Sequence, residues 1–188
     1  ENGHKAINTI LSKEETYGDI TPVKSSKNKL SAFISIMRGC NNMCAYCIVP
    51  YVRGRERSRD PETIYREAKD LLAKGYKEIT LIGQNVDSFN WDSSNRSIKF
   101  AELLKSVAEI STDLRIRFAT SHPKDLSDDV LKAMVDHSNI CRHIHLPVQS
   151  GSTKILKAMN RGYTREWYLN RIDAIRNQLP EAEITTDI

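Results

Sequence analysis

Three cysteines stand close together in the chain, and their spacing limits the chemistry that they can support. Cys40, Cys44 and Cys47 follow a mainly apolar run over residues 33–37, at separations of four and three residues. Three thiolates from one short loop can ligate three irons of a cubane iron–sulfur cluster. The fourth iron then has no protein ligand, and such an open metal position is where a small chelating molecule can bind and react.

Two simpler interpretations of the cysteines remain open. A structural zinc site needs a fourth ligand from His4 or one of the four later histidines, and it usually shows two separated ligand pairs, which this chain lacks. A disulfide would leave one of the three cysteines unpaired, and no signal peptide is visible. The spacing therefore favours the cluster, with zinc as the alternative.

Length and composition indicate one globular domain from a reducing compartment. The chain has 188 residues and a net charge of +4, which is only a weak indication of a nucleic-acid partner. No apolar run approaches the roughly 20 residues that a membrane span needs, and the clustered cysteines suit the cytoplasm. The first residue is Glu1 and the chain stops within a strand-like run, so we expect a piece of a longer protein.

The pattern divides the chain into two parts. Residues 1–30 are polar and predict a linker or arm from a missing N-terminal domain, whereas residues 31–188 alternate between strand and helix patterns. Alternating strands and helices predict βαβ units and a parallel sheet, either open or wound into a barrel. The predicted strands are residues 32–37, 78–82, 115–119, 143–146 and 183–188. The predicted helices are residues 60–75, one from near Ser97, one after Ser127 that includes Val135 on its inner face, 153–159 and 164–178.

Polar residues follow each predicted strand at its carboxyl end. In parallel β/α folds this edge of the sheet carries the active site. The same residue types also cap helices and form turns, and strand histidines such as His143 and His145 are usually structural. We expect Cys141 to be a small buried residue rather than a ligand. The residues at the strand ends are Gln84, Asn85, Ser121, His122, Gln149, Ser150 and Asp187.

A run of arginines comes directly after the cysteines. Arg53, Arg55, Arg57 and Arg59 alternate with other residues in this run. Arginine binds phosphates through two N–H groups and stacks on bases, so the run is a candidate RNA-binding segment. The alternatives are a cofactor contact or a solvated charged loop.

Six motifs together resemble the methylthiotransferase family of radical S-adenosylmethionine (SAM) enzymes. The resemblance extends over roughly residues 30–188. The motifs are residues 35–59 with the three cysteines, 81–86, 120–123, 145–152, 159–161 and 185–188.

The resemblance implies a fold and a set of ligands. The fold is a partial (β/α) barrel of the radical SAM type, α/β with parallel strands and outer helices, truncated after the fifth strand. Cys40, Cys44 and Cys47 would ligate a [4Fe–4S] cluster with one open iron, at which SAM binds. The residues expected to contact SAM are Tyr46, Gln84, Ser121, Gln149 and Arg161.

The arginine run and the motif over residues 83–85 most resemble the branch of the family that acts on tRNA. The implied reaction adds a methylthio group to C2 of N6-isopentenyladenosine next to the anticodon, with the anticodon loop as substrate and flavodoxin or ferredoxin as electron donor. Alternatives are branches that act on threonylcarbamoyladenosine in tRNA or on a ribosomal protein. An alternative of another class is a zinc-bound RNA-binding module.

Parts of the family pattern are missing from this chain. Family members hold a second, auxiliary [4Fe–4S] cluster with three cysteines of an N-terminal domain, and no second cysteine triad is present here. A sixth barrel strand and a C-terminal RNA-binding domain are also missing. We therefore expect the core over residues 31–188 to be incomplete and unable to complete methylthiolation alone.

Overall fold

The structure is a computed structural model that describes residues 30–188. The predicted linker over residues 1–30 lies outside the described residues, except for Leu30. The helices are α1 Val49–Arg53, α2 Pro61–Ala73, α3 Phe100–Ala108, α4 Asp128–Asp136, α5 Thr153–Ala158 and α6 Arg165–Gln178, with a 3-10 turn at Val86–Ser88. The strands are β1 Ser31–Ser35, β2 Met37–Arg38, β3 Arg57–Ser58, β4 Glu78–Ile82, β5 Asn90–Ser93, β6 Arg96–Lys99, β7 Arg115–Phe118, β8 His143–His145 and β9 Glu183–Thr185.

Three parallel strands form the centre of the fold, in the order β1–β4–β7. The middle strand, β4, has the bounds that the sequence predicts, and its side chains at Ile79 and Leu81 are completely buried. Because successive side chains of a strand point to opposite faces, these two belong to the same buried face. Ile34 of β1 pairs with Leu81, and Leu81 pairs with Phe118 of β7, so the core runs across all three strands.

A second parallel pair, β8 with β9, continues the arrangement. Ile116 of β7 forms a parallel bridge with Ile140, just before β8, and Cys141 donates its backbone N–H to the Ile116 oxygen at 2.8 Å. All five predicted strands are therefore present, in two hydrogen-bonded groups linked by this bridge. The strands of residues 30–188 form a partial barrel rather than a closed one, which confirms the predicted fold class.

Helix α2 shows how the crossovers are built. Asp60 caps it by accepting a hydrogen bond from the Glu62 N–H at 2.9 Å, and Pro61 occupies its first turn, as the sequence predicts. Ile64 and Ala68 repeat at helical spacing and are completely buried, since one face of the helix covers the sheet.

No helix of the described residues is long and apolar enough to cross a bilayer.

One helix starts later than the sequence predicts. The segment from Asn90 to Lys99 forms an antiparallel hairpin of β5 and β6, and α3 begins only at Phe100. Ser97, predicted near the start of the helix, lies within β6 and its hydroxyl donates to the Asn90 side chain at 3.0 Å. The prediction is wrong here because the hairpin strands are mostly polar and exposed, so they lack the apolar alternation that identifies a strand.

Two predictions of burial are wrong as well. Val135 of α4, predicted to face inward, is 45% exposed. Cys141 is half-buried rather than buried, and its sulfur accepts a hydrogen bond from Arg115 Nη2 at 3.2 Å. An apolar residue type alone does not determine burial.

A short antiparallel pair closes the segment that contains the cysteines. In it Met37 of β2 pairs with Ser58 of β3, and Arg38 pairs with Arg57. Residues 39–56 therefore form an excursion of the chain whose two ends lie side by side. We call this pair the clasp; it was not predicted from the sequence.

Candidate cofactor site

The three clustered cysteines line one cavity of about 270 Å³. All three are free thiols, with Cys44 buried and Cys40 and Cys47 half-buried. The loops after the parallel strands and the turn between α5 and α6 supply the opposite wall, because parallel strands bring their carboxyl ends to one edge. This confirms the predicted meeting of strand ends. The residues on that wall include Gln84, Asn85, Ser121, His122, Gln149 and Arg161.

The five residues expected to contact SAM all line the cavity that the cysteines line. Contact with a bound molecule stays a prediction for each of them. Gln84 also stabilises the start of the cysteine loop, since its Oε1 accepts a hydrogen bond from the Gly39 N–H at 2.5 Å. Ser150 lies outside this lining, and its hydroxyl accepts from the Ser152 N–H at 3.2 Å in the turn before α5.

The donor set is of the kind that a cubane cluster needs. Each thiolate of a cubane binds a different iron, so its ligands must surround a volume rather than a point. Three thiols around the wall of one cavity meet that requirement.

The cysteine loop starts at Gly39, where no other residue fits. Gly39 has φ +79°, and a Cβ atom at this position would lie 2.0 Å from the Arg55 carbonyl oxygen. The Cys40 N–H then donates to the Gly54 oxygen at 3.2 Å. Close backbone approach of this kind needs glycine. Burial raises the pKa of the Cys40 thiol to about 11, so a metal that binds there must displace its proton.

Side chains from outside the loop hold its successive residues. The Asn41 N–H donates to Glu56 Oε1 at 3.0 Å, and Asn42 Nδ2 donates to Asp125 Oδ2 at 3.0 Å. The Met43 carbonyl accepts from Asn160 Nδ2 at 2.7 Å. The loop is therefore positioned by contacts with the protein, before any cofactor contributes.

Asp125 links the cysteine loop to the strand ends. Its Oδ2 accepts from Asn85 Nδ2 at 2.7 Å as well as from Asn42, and the His122 ring lies 3.7 Å away. Burial would raise the pKa of Asp125, but the two amide hydrogen bonds and the nearby Lys124 ammonium, 3.3 Å away, together outweigh it and hold the pKa below its usual value. Asp125 is therefore an anion shared by both sides of the cavity.

His122 is a neutral member of the cavity wall. Burial and the nearby Arg161 guanidinium lower its pKa to about 4. Its Nε2 atom and the Asn85 Oδ1 atom are buried and have no hydrogen-bond partner within residues 30–188. Since buried polar atoms are nearly always paired, two such atoms beside one cavity favour a polar ligand there.

Asp87 lies behind this wall. Its Oδ2 accepts from the His122 backbone N–H at 3.1 Å, and its Oδ1 is buried with no hydrogen-bond partner in the described part. Burial raises the pKa of this carboxyl group to about 7. Asp87 thus supports the turn after β7 while carrying a proton at slightly acidic pH.

Two residues of the wall have backbone angles that are unusual for their type. Thr120 has φ +70° and Gln149 has φ +69°, and both line the cavity. A β-branched residue in the left-handed region is strained, and such strain concentrates at ligand sites. At Gln149 the backbone N–H is held by the Asp187 oxygen at 2.9 Å.

The four arginines of the run differ in how far their side chains are exposed. Arg59 is 5% exposed and forms an ion pair with Glu67 at 2.6 Å, so its guanidinium points into the protein and the prediction of an RNA contact is wrong for it. Arg57 is half-buried and donates to the backbone oxygens of Arg53 and Arg55 at 3.2 and 3.1 Å. Arg53 and Arg55 are exposed, and an RNA contact stays a prediction for both and for Arg57.

Sequence reasoning missed the residues that connect the two walls. Asn42, Asp87 and Asp125 carry no motif that separates them from ordinary turn residues, and their partners lie far away in sequence. Tyr163 was missed too, although its hydroxyl donates to the Val148 oxygen at 3.0 Å and accepts from Arg161 Nε at 3.1 Å. Only the local turn signals around Pro123 could have pointed to Asp125.

The site and the open β/α sheet define a class of enzyme core. The model of the radical SAM superfamily matches residues 34–188, so the chain belongs to the radical SAM superfamily. Solved structures agree at the level of the fold. TsrM, a radical SAM methyltransferase from Kitasatospora setae with a SAM analogue bound, matches with a TM-score of 0.63 at 16% identity over 84% of this chain and 30% of that one. The cobalamin-dependent radical enzyme OxsB matches with a TM-score of 0.65 at 17% identity over 94% and 26%.

Curated relatives share much more sequence. The tRNA-2-methylthio-N(6)-dimethylallyladenosine synthase of Phocaeicola vulgatus is 57% identical over 188 residues, which are 100% of this chain and 41% of the relative. The protein of the same name from Bacteroides thetaiotaomicron is 58% identical over 189 residues, 100% and 42%. That from Porphyromonas gingivalis W83 is 54% identical over 188 residues, 100% and 41%. The chain spans about two fifths of the length of these relatives.

Proposed function

We propose that this chain is the radical SAM core of a tRNA methylthiotransferase, which adds a methylthio group to C2 of N6-isopentenyladenosine next to the anticodon. One observation carries the proposal: three free thiols share a cavity with the strand-end residues, in a chain 54–58% identical to synthases named for this product. Residues 31–188 would form this core, and residues 1–30 would connect it to an N-terminal domain.

The thiols and the opposite wall have separate tasks in this proposal. Cys40, Cys44 and Cys47 would hold the [4Fe–4S] cluster, and the bound cluster would supply the electron for reductive cleavage of SAM. The unpartnered atoms of Asn85 and His122 offer hydrogen bonds to a polar ligand. The SAM contacts are proposed for Tyr46, Gln84, Ser121, Gln149 and Arg161, which line the same cavity.

The charges around the cavity suit a cofactor that carries both positive and negative groups. SAM carries a sulfonium cation, and a protonated imidazole beside it would repel that charge. His122 stays neutral at physiological pH because burial and Arg161 lower its pKa to about 4. Asp187 supplies negative charge in the cavity lining, 3.3 Å from His145, and the Arg161 guanidinium in the same lining supplies positive charge for the carboxylate of SAM. The protein thereby favours the cofactor electrostatically.

The RNA surface is proposed for the segment that follows the cysteines. Tyr51 is 66% exposed, and Arg53 and Arg55 lie beside it with exposed side chains. Unpaired bases stack on exposed aromatic rings while arginines bind the adjacent phosphates. A single-stranded anticodon loop can present a base to such a site without melting a duplex.

The remaining parts of the reaction belong outside these residues. We propose an auxiliary [4Fe–4S] cluster in an N-terminal domain, from which the methylthio group is delivered. A flavodoxin or a ferredoxin in the cytoplasm would supply electrons. The thiols, the cavity wall and the exposed arginines would then generate the radical and aim it at the base.

A gene deletion tests the proposal. In the deletion strain, mass spectrometry of tRNA nucleosides should show isopentenyladenosine without its 2-methylthio group, and a plasmid with the wild-type gene should restore it. A plasmid with Cys141→Ser should restore it as well, because Cys141 lies outside the cavity lining.

Loss of methylthio groups from threonylcarbamoyladenosine, or from a ribosomal protein, would instead assign another branch. Zinc in place of iron after anaerobic reconstitution would contradict the enzyme interpretation.

A further inference from the structure

We infer that Arg161 is a positioning residue that fixes the cysteine loop and raises the reduction potential of the cluster through the sulfur of Cys44. Its Nη1 atom lies 3.3 Å from Cys44 Sγ, and Arg161 is only 6% exposed. The inference rests on the proposed cluster site, but it concerns a task beyond contact with SAM.

The guanidinium is held on several sides. Nε donates to the Tyr163 hydroxyl at 3.1 Å, Nη2 donates to the Pro147 oxygen at 3.1 Å, and Nη1 also reaches the Tyr46 hydroxyl at 3.3 Å. With the bond to Cys44, four hydrogen bonds constrain a planar group that offers five N–H donors. The charge therefore cannot swing away from the sulfur without breaking buried hydrogen bonds.

The two residues before Arg161 hold the same loop by neutral contacts. Asn160 Nδ2 donates to the Met43 oxygen at 2.7 Å, and the Met159 oxygen accepts from the Ala45 N–H at 3.0 Å. Asn160 adopts φ +55°, a turn that lets these three consecutive residues meet one loop. The turn between α5 and α6 thus offers a charged contact and neutral contacts side by side.

The charged contact has an electrostatic consequence that the neutral ones lack. Reduction adds one electron from a low-potential donor to the cluster and breaks no bond. A cation that donates a hydrogen bond to a ligand sulfur stabilises the state with the extra negative charge. Arg161 therefore raises the potential, whereas Asn160 only holds the loop in place.

Four variants of the full-length protein separate the two effects. Arg161→Gln removes the charge, Arg161→Lys keeps it without the planar fork, and Asn160→Ala removes the neutral anchor. Arg165→Gln makes the same charge change at an exposed position of α6. Hydrogen exchange of the Ala45 amide is measured in the cluster-free proteins. The potential is measured, after anaerobic reconstitution, for the cluster that is absent from Cys44→Ser.

We expect faster exchange at Ala45 in both Arg161→Gln and Asn160→Ala, and wild-type exchange in Arg165→Gln. At a fixed electrode potential, the ratio of reduced to oxidised cluster in Arg161→Gln should be about ten-fold lower than in the wild type. This corresponds to a midpoint potential about 59 mV lower for a one-electron couple. Arg161→Lys should recover part of this loss, and Asn160→Ala should keep the wild-type ratio.

A wild-type potential in Arg161→Gln would overturn the electrostatic part of the inference, and so would an equal shift in Asn160→Ala, which a purely structural role predicts. Unchanged exchange at Ala45 in both variants would overturn the positioning part. A wild-type protein that binds no [4Fe–4S] cluster would instead contradict the proposed function, and the exchange measurement would still test the anchor.

Discussion

Two adjacent segments of the chain are held in opposite ways. In the cysteine loop, residues 40–47, side chains and backbone groups from three distant parts of the chain bind successive residues. In the following segment, residues 48–55, helix α1 has no buried residue, and Ile48 and Tyr51 are 65% and 66% exposed. Both segments lie within the same excursion from the sheet.

The contrast suits the two kinds of recognition that we propose for these segments. A cofactor needs ligands fixed to within a fraction of an ångström, so its loop is fixed by polar contacts. A macromolecular surface needs exposed rings and charges, and these contribute little to the stability of the free protein. Substitutions in the two segments should therefore change different measured quantities.

The largest effect is expected at a thiol. Cys44→Ser removes one of three proposed iron ligands, so in the full-length protein the iron at this site and reductive cleavage of SAM should both fall to background. The matched control is Cys141→Ser, because Cys141 is a free, half-buried cysteine outside the cavity lining. Equal losses in the two variants would show that thiol loss in general, rather than the loop, is responsible.

The next effect concerns the start of the loop. Gly39→Ala places a Cβ atom 2.0 Å from the Arg55 oxygen at φ +79°, so we expect a loss of about 3 kcal/mol or more in the free energy of unfolding. Gly75→Ala is the control, since Gly75 has φ +91° but no atom within 4 Å of the added Cβ. It should cost about 1 kcal/mol. Urea unfolding measures both, and similar losses would contradict the role of the close approach.

A pH-dependent effect is expected behind the cavity wall. Burial raises the pKa of Asp87 from 3.8 to about 7, so the folded state binds a proton that the unfolded state releases above pH 4. The stability from this group is complete below about pH 4 and is lost as the pH rises through 7. The free energy of unfolding of Asp87→Asn should therefore exceed that of the wild type at pH 8, by roughly 1.4 kcal/mol for each unit by which the folded state raises the pKa of Asp87. This difference should shrink towards pH 4.

The control for Asp87→Asn is Asp113→Asn, at an exposed carboxylate. Urea unfolding at pH 5 and pH 8 should show no pH-dependent gain for the control. A gain of the same size in Asp113→Asn would mean that net charge, rather than burial, determines the effect.

The smallest effect on the folded protein is expected in the exposed segment. Replacing Arg53 and Arg55 together by alanine should change the free energy of unfolding by less than about 0.5 kcal/mol. It should weaken tRNA binding by the full-length protein and reduce the slope of log K against log salt by about 1.4, at about 0.7 per phosphate contact on a single strand. Alanine at Arg96 and Arg165, which are also exposed, is the control. An unchanged slope in the first variant would indicate a solvated loop.

The regular part of the fold could be predicted where local signals agree. Asp60 and Pro61 predict the start of α2, and the apolar alternation predicts β4, because both signals act within a few residues. The hairpin over residues 90–99 could not be predicted, since its strands are stabilised by pairing with each other rather than by burial of one face. Val135 was misjudged because an apolar residue at helical spacing can still lie beyond the edge of its neighbours.

The candidate site could be predicted in its residues but not in its connections. The cysteines and the strand-end residues follow from spacing and from the rule that parallel strands end at one edge. Asp125 contacts Asn42, 83 positions away, and no local pattern records such a contact. Arg59 was misjudged for another reason: its partner Glu67, only eight positions away on α2, turns a surface residue type inward.

The clasp between β2 and β3 has a consequence for how this region can change. The clasp joins the two ends of the excursion over residues 39–56. The chain therefore loses the conformational entropy of closing this loop when the protein folds, and cofactor binding does not have to offset it. Since closure entropy grows only slowly with loop length, the excursion can gain or lose residues around α1 at little cost. The sheet and the thiol positions would stay in register while the exposed segment diverges, so the length of the exposed segment is decoupled from the placement of the thiols.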